Sequence, residues 1–211
     1  MSVSAPLPYP ALHASHGGIW IASPDGRTRA VGRGEAISIA AETPVIMLNA
    51  PLVAARLGYG ELSGLDLLEL FAFVHPARFM VPTVKGLARV TGLNVPEDEG
   101  GAAALFAQAA ARLLDTLSGD WPEREGAWTA AQSLARLRWP WAQPVLERLK
   151  KPERDERWLF SKLPEWEEAP ARPAPRTVTL DERDVLDRLT TITGAGAEQR
   201  MGQKDYARTV A

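Results

Sequence analysis

The stretch that decides the class of fold reads Pro44-Val45-Ile46-Met47-Leu48-Asn49-Ala50-Pro51-Leu52-Val53-Ala54-Ala55-Arg56-Leu57-Gly58. Its first five residues form an apolar run that is short enough to be a buried strand. The rest predicts a helix over residues 50–57, because Pro51 suits a first helical turn and Gly58 suits a helix end. A buried strand that leads straight into a helix is typical of layered α/β domains.

Strands and helices alternate on both sides of this stretch. Residues 13–23 predict one strand, and residues 28–31 predict a paired strand that returns after the turn signal Pro24-Asp25-Gly26. Apolar residues at helical spacing predict four further helices, at residues 35–41, 65–74 (capped by Ser63), 83–92 and 102–117. The predicted strands are few and short, so we expect an α/β fold with a small mixed sheet and helices.

The composition changes along the chain and predicts four regions. Residues 1–118 form the α/β domain, and residues 119–150 form a helical, Trp-rich extension. Residues 151–178 place prolines among charges without any periodicity, which predicts a linker. Residues 179–211 start another domain, in which two helices are predicted, over residues 181–190 and from Met201 onward. The last helix runs to the end of the chain, as expected of a truncated piece.

The composition is that of a globular protein without cysteine chemistry. The 211 residues are 45% hydrophobic and 24% charged, with a formal net charge of -2 and no cysteine. These residues therefore offer no disulfide, no thiolate zinc site and no iron–sulfur ligand. No apolar run approaches the ~20 residues of a membrane helix, and the first ten residues do not form a signal peptide. We expect a cytoplasmic protein with no membrane partner.

Three histidines, His13, His16 and His75, are the first candidates for metal ligands. His13 and His16 stand three residues apart on the predicted strand, where they would point to opposite faces. No carboxylate lies nearby to complete a site. His75 follows a predicted helix, whose C-terminal dipole is enough to explain it. The sequence therefore predicts no metal site.

Tryptophan and arginine are concentrated in residues 121–166. Such a cluster can be a stacking platform for single-stranded nucleic acid. It can also be the core of a small helical module, in which Trp packs beside Arg. The packing interpretation is favoured, because most of these tryptophans lie at helical spacing or beside proline.

The end of the chain, residues 191–211, contains Arg200 and a helix that begins Gln203-Lys204-Asp205-Tyr206-Ala207. This pattern resembles the segment before the phosphate-binding loop of the DinG and XPD-like helicases. The resemblance implies that Gln203 reads the edge of adenine, with Arg200 as its companion, and an amide can both donate to and accept from that edge. It also implies that the phosphate loop follows shortly after Ala211, so that the loop, the Mg²⁺ carboxylates and the arginine finger lie outside these residues.

A second resemblance covers residues 10–118, which are similar to the DnaQ-type exonucleases that some DinG relatives carry. It rests on the segments Leu48-Asn49-Ala50-Pro51-Leu52-Val53, Leu65-Asp66-Leu67-Leu68 and Val81-Pro82-Thr83-Val84-Lys85-Gly86-Leu87-Ala88. In that family, carboxylates from three motifs hold two metal ions at the scissile phosphate. Here the second-motif Asp falls on Val53, the first and last motifs have no counterpart near residues 12–21 and 100–111, and Asp66 matches a residue that is not a metal ligand. The resemblance implies a degenerate, RNase H-like exonuclease fold without nuclease activity.

The two resemblances together imply the N-terminal region of an ATP-dependent DNA helicase, similar to the alphaproteobacterial DinG-like proteins and suited to DNA repair. The whole protein would use ATP and Mg²⁺ to unwind DNA and would hold a single strand. These residues alone would catalyse nothing and bind no cofactor, and would dock on the motor or guide a DNA strand. The alternatives are a stand-alone binding module without a motor and an active nuclease.

Overall fold

The computed structural model describes residues 7–60, 62–153, 181–194 and 201–210. The chain divides into two compact units, Met1–Glu165 and Trp166–Ala211. Within the described residues, the first unit combines a five-stranded mixed sheet with seven helices, and the second has two helices. The predicted α/β class with a small mixed sheet is therefore confirmed. No helix in the described ranges has the length and apolarity needed to cross a membrane.

The sheet is built from five short strands in the order β3-β2-β1-β4-β5. Their bounds are Ala11–Ala14 (β1), Ile19–Ala22 (β2), Thr28–Ala30 (β3), Ile46–Met47 (β4) and Leu65–Asp66 (β5). β2 is antiparallel to both β1 and β3, whereas β4 is parallel to both β1 and β5. β1 is thus the central strand, and the carboxyl ends of β1, β4 and β5 meet at one edge of the sheet.

The prediction of a single strand over residues 13–23 is wrong, because the chain reverses within it. The Ser15 N–H donates to the Gly18 carbonyl at 2.9 Å and closes a tight turn. Gly18 has a φ of 149°, which residues with a side chain rarely adopt. The segment therefore forms the β1–β2 hairpin, and the predicted return strand pairs with β2 as β3.

The junction between β4 and α2 (Ala50–Leu57) follows the prediction closely. Asn49 adopts a left-handed φ of 65°, which Asn tolerates better than most residues, and its side chain accepts the Leu52 N–H at 3.2 Å. Gly58, also left-handed, ends the helix. The local sequence thus supplies a cap at each end of α2.

The other helices of the first unit are α1 (Arg33–Glu42), α3 (Leu67–Val74), α4 (Val84–Thr91), α5 (Glu99–Leu117), α6 (Ala127–Arg136) and α7 (Ala142–Arg148). The helices predicted around α1, α4 and α5 are confirmed, with ends that differ by up to three residues. The prediction that Ser63 caps α3 is wrong. The cap is Asp66, whose side chain accepts the Leu68 N–H at 2.9 Å, and the two residues before the helix form β5.

The side chains of β1 alternate between the two faces of the sheet. Leu12 and Ala14 belong to a core cluster that they share with Val53 of α2. Ala11 belongs to a larger cluster that includes Phe106 of α5. The sheet is therefore covered on both faces, as expected for a layered α/β domain.

The helices α6 and α7 share the larger core. Trp121, Ala131, Trp141 and Val145 are buried in the same cluster as Phe106. The helical extension of residues 119–150 therefore does not build a core of its own but packs on the α/β domain.

The second unit is described through two helices, α8 (Glu182–Thr193) and α9 (Met201–Val210). The Asp181 side chain caps α8 by accepting the Asp184 N–H at 2.8 Å. Arg208 of α9 donates to Glu182 of α8 at 2.7 Å. Both predicted helices are confirmed, and they pack against each other as a pair. Most of the predicted linker, residues 151–178, lies outside the described residues.

Candidate functional site

Two of the three segments that resemble exonuclease motifs lie at the neighbouring strands β4 and β5, and the third lies on α4, which packs on α5. β4, which leads into α2, is the parallel neighbour of β1, and α5 packs across the sheet against β1. Val53, at the position of the second-motif Asp, is buried in the cluster that contains Leu12 and Ala14. Val53 is therefore a packed apolar side chain, which offers no ligand to a metal ion.

The α5 segment over residues 100–111 is filled with small and apolar side chains. Its buried members are Gly100, Ala102, Ala103, Leu105, Phe106, Ala109 and Ala110. Small side chains allow a helix to lie close to a sheet, so this face of α5 serves packing. Within the described ranges, no three His, Cys, Asp or Glu side chains are grouped so that they could hold a metal ion.

A carboxylate does lie beside His13, and the expectation that none is nearby is wrong. Glu99 Oε2, in the first turn of α5, lies 2.5 Å from His13 Nε2, although the two residues are 86 positions apart. The His13 ring also meets Phe106 edge-on, with ring centroids 5.4 Å apart. His16 is exposed in the β1–β2 turn. A pair has fewer side chains than the three that protein metal sites usually supply. We therefore interpret it as a structural contact that joins β1 to α5.

The buried carboxylate at this edge of the sheet is Asp66. Its Oδ1 accepts the N–H groups of Asn49 at 3.0 Å and of Leu68 at 2.9 Å, and its Oδ2 accepts the N–H of Ala50 at 2.7 Å. These bonds join the end of β5 to the turn that leads from β4 into α2. Both carboxylate oxygens of Asp66 are thus hydrogen-bonded to backbone N–H groups. The exonuclease resemblance likewise does not imply that Asp66 is a metal ligand.

A second His–Glu pair, His75 with Glu123, lies at the end of α3. His75 ends α3, and its Nδ1 lies 4.0 Å from Glu123 Oε2, while Arg78 Nε lies 3.5 Å from Glu123 Oε1. The Glu123 side chain is only 5% exposed. Burial, followed by the positive charge of Arg78, lowers the pKa of His75, and the Glu123 carboxylate opposes this effect. The folded protein therefore favours the neutral imidazole.

This pair predicts a stability that depends on pH. Because the folded pKa of His75 lies below its unfolded value, the unfolded chain binds the proton first, and stability falls as the pH falls from the unfolded pKa through the folded one. We expect His75→Asn to lose less stability than the wild type between about pH 7.5 and pH 5.5. Urea unfolding at both pH values measures this, with His16→Asn, at an exposed position, as the control. An unchanged pH dependence in His75→Asn would contradict the assignment.

The structure agrees with the packing interpretation for two of the tryptophans. Trp121 and Trp141 are buried, and their indole N–H groups donate to the backbone carbonyls of Val74 and Asp66 at 3.2 and 2.7 Å. A buried indole whose N–H has a partner adds a large apolar contact at little polar cost. The tryptophans beyond residue 153 lie outside the described residues.

Gln203, the candidate adenine-reading residue, lies on α9 and is exposed. It lines a groove of about 500 Å³ between α8 and α9. The walls of the groove are mainly apolar, with Val185, Leu189, Ile192, Tyr206 and Ala207, and Arg188 adds one cation. Ile192 and Tyr206 are 84% and 74% exposed, which is unusual for such large side chains. Arg200, the predicted companion of Gln203, lies outside the described residues.

Comparison with known proteins adds no family to these observations. No protein-family model matches the chain, and no curated protein or solved structure matches it.

The sequence analysis missed the partners of three carboxylates, Asp66, Glu99 and Glu123. A local signal existed for Asp66, which stands in the first turn of a predicted helix, where acidic side chains are favoured. None existed for the contact of Glu99 with His13, which lies 86 positions away along the chain. No local signal existed for the contacts of Glu123 with His75, because those residues approach only through the packing of the fold.

Proposed function

We propose that this chain is the N-terminal accessory region of an ATP-dependent DNA helicase of the DinG type and that by itself it catalyses no reaction. The observation that carries the proposal is the position of Gln203, an exposed amide beside the apolar groove between α8 and α9. Adenine is a flat ring with a polar edge. Apolar walls suit the ring, while an amide can donate to and accept from the edge.

The first unit supports the exonuclease-like half of the proposal. Two of the three segments that resemble exonuclease motifs lie at the parallel strands β4 and β5, and the third lies on α4, which packs on α5. Val53 and the alanines of α5 now pack where carboxylates would be needed. In the proposal this domain docks on the helicase motor or guides a DNA strand, and the motor holds ATP and Mg²⁺.

The test of the adenine-reading role uses ATPase kinetics of the longer protein that the proposal requires. We expect Gln203→Ala to raise KM for ATP about 10-fold, the effect of losing one or two hydrogen bonds to the base, and to change kcat less. Gln132→Ala is the matched control, because Gln132 is an exposed amide on α6 of the other unit. An unchanged KM in Gln203→Ala would remove the adenine-reading assignment.

The alternative is a stand-alone binding module without a motor. The codons that follow Ala211 distinguish the two. A Gly-rich loop that ends in Gly-Lys-Thr supports the helicase, because its N–H groups and lysine hold the phosphates of a nucleotide. A stop codon at that point contradicts the helicase and leaves the binding module.

A further inference from the structure

A cationic groove with an exposed aromatic ring lies on α4 and on the segment before it, which include residues 81–88 of the exonuclease resemblance. The groove has a volume of about 480 Å³, and its lining includes Phe79, Val81, Lys85, Arg89 and Val90. None of its lining residues is acidic. The surrounding residues 78–95 contain no acidic side chain and three basic ones, of which Arg78 is paired with Glu123 and Lys85 and Arg89 line the groove. The groove is therefore a local positive surface on a slightly negative protein.

The aromatic ring is held in an exposed position by the backbone around it. Met80 is buried, whereas its neighbours Phe79 and Val81 are 84% and 49% exposed. The backbone of Val81 lies directly on α4 at Gly86, where an added Cβ atom would clash with the Val81 carbonyl oxygen. The Thr83 side chain caps α4 by accepting the Gly86 N–H at 3.0 Å. The exposed ring is thus presented by a fixed segment.

The two cations of the groove share one face of α4. Lys85 and Arg89 are four residues apart, which places their side chains side by side, with Cβ atoms about 6 Å apart. Neither forms an ion pair with any residue in the described part of the chain. Both charges are available to an anionic partner.

We propose that this groove, the Phe79 groove, binds single-stranded DNA. A base stacks on the Phe79 ring, and successive phosphates bind Lys85 and Arg89. An exposed aromatic ring beside unpaired cations is the combination that single strands require, because every base has a stacking face and every nucleotide a negative charge. The choice of DNA over RNA rests on the proposed function. The binding itself needs no motor, so it is tested on this chain without ATP.

The experiment measures fluorescence anisotropy of a labelled oligothymidylate of about 15 nucleotides, at several salt concentrations. We expect Phe79→Ala to weaken binding about 10-fold with little change in the salt dependence, because the lost contact is stacking. We expect the double variant Lys85→Glu/Arg89→Glu to weaken binding by at least about 10-fold and to reduce the salt dependence, because it removes phosphate contacts.

Two control variants match these changes outside the groove. Leu137→Ala truncates another exposed apolar side chain, and Arg27→Glu/Arg136→Glu alters the net charge by the same amount. Both should bind as the wild type does. Thermal unfolding of every variant confirms that it is folded.

Three results would overturn the proposal. Equal binding of an abasic oligonucleotide of the same length would show that no base stacks. Tighter binding of oligouridylate than of oligothymidylate would reject DNA as the ligand. Complete displacement by an equimolar glutamate-rich peptide would show that the groove recognises an acidic protein segment. None of these results depends on ATPase activity, so failure of this proposal is distinct from failure of the helicase assignment.

Discussion

Asp66→Ala is expected to lower the free energy of unfolding by about 4 kcal/mol, because three backbone N–H groups then lose a buried charged acceptor. Those donors belong to Asn49, Ala50 and Leu68, at 2.7–3.0 Å from the carboxylate. They come from the start of α2 and the start of α3, so one side chain holds two helix ends against the sheet. Urea unfolding monitored by circular dichroism measures the change.

Two further variants show whether the acceptor itself is responsible. Asp66→Asn keeps one acceptor oxygen and places an amide N–H₂ against a donor, so about half the loss is expected. Asp25→Ala removes an acidic side chain that is 55% exposed in a turn, and it should change stability by less than about 0.5 kcal/mol. A loss below about 1 kcal/mol in Asp66→Ala would contradict the role assigned to this residue.

Trp141→Ala is expected to cost about 4 kcal/mol, the second of the two largest effects. Trp141 is fully buried in the core that joins α7 to the α/β domain, and its indole N–H donates to the Asp66 carbonyl at 2.7 Å. Truncation leaves a large cavity and an unpaired carbonyl. Thermal and urea unfolding measure the loss.

The variant Trp141→Phe helps to separate the two contributions, because it keeps most of the apolar volume but loses the indole N–H donor. We expect about 2 kcal/mol for it. Trp139→Ala is the control, because Trp139 is only partly buried and donates to an exposed carboxylate, Glu69. If Trp139→Ala costs as much as Trp141→Ala, the core role of Trp141 is wrong. The effects of Asp66 and Trp141 variants should not add, because both act at the same residue.

Helix ends could be predicted from the sequence because their causes are local. Thr83, Asp181 and Gly58 each act on backbone groups within four residues, and each lies at the predicted end of a helix. The two wrong predictions, the single strand over residues 13–23 and the Ser63 cap, also have local causes. The turn at Ser15–Gly18 interrupts a run of strand-forming residues, and Asp66 takes the cap that the sequence suggests for Ser63.

The candidate sites also differ in how much of each could be predicted from the sequence. The choice of Gln203 depended on a short pattern, and the structure adds the groove beside it. The contact of His13 with Glu99 joins residues 86 positions apart, and no pattern of neighbours predicts it. The Phe79 groove also needed the structure, since the sequence does not show that Met80 is buried while Phe79 remains exposed.

The sequence by itself determined the α/β class, the confirmed helices with their local caps, and the absence of cysteine chemistry, because periodicity, capping and composition act over a few residues. Only the tertiary structure decided which carboxylates are committed to the backbone, which tryptophans fill the core and which cations remain unpaired in the described residues. Those outcomes depend on segments that are distant along the chain and meet only when burial of the common core brings them together.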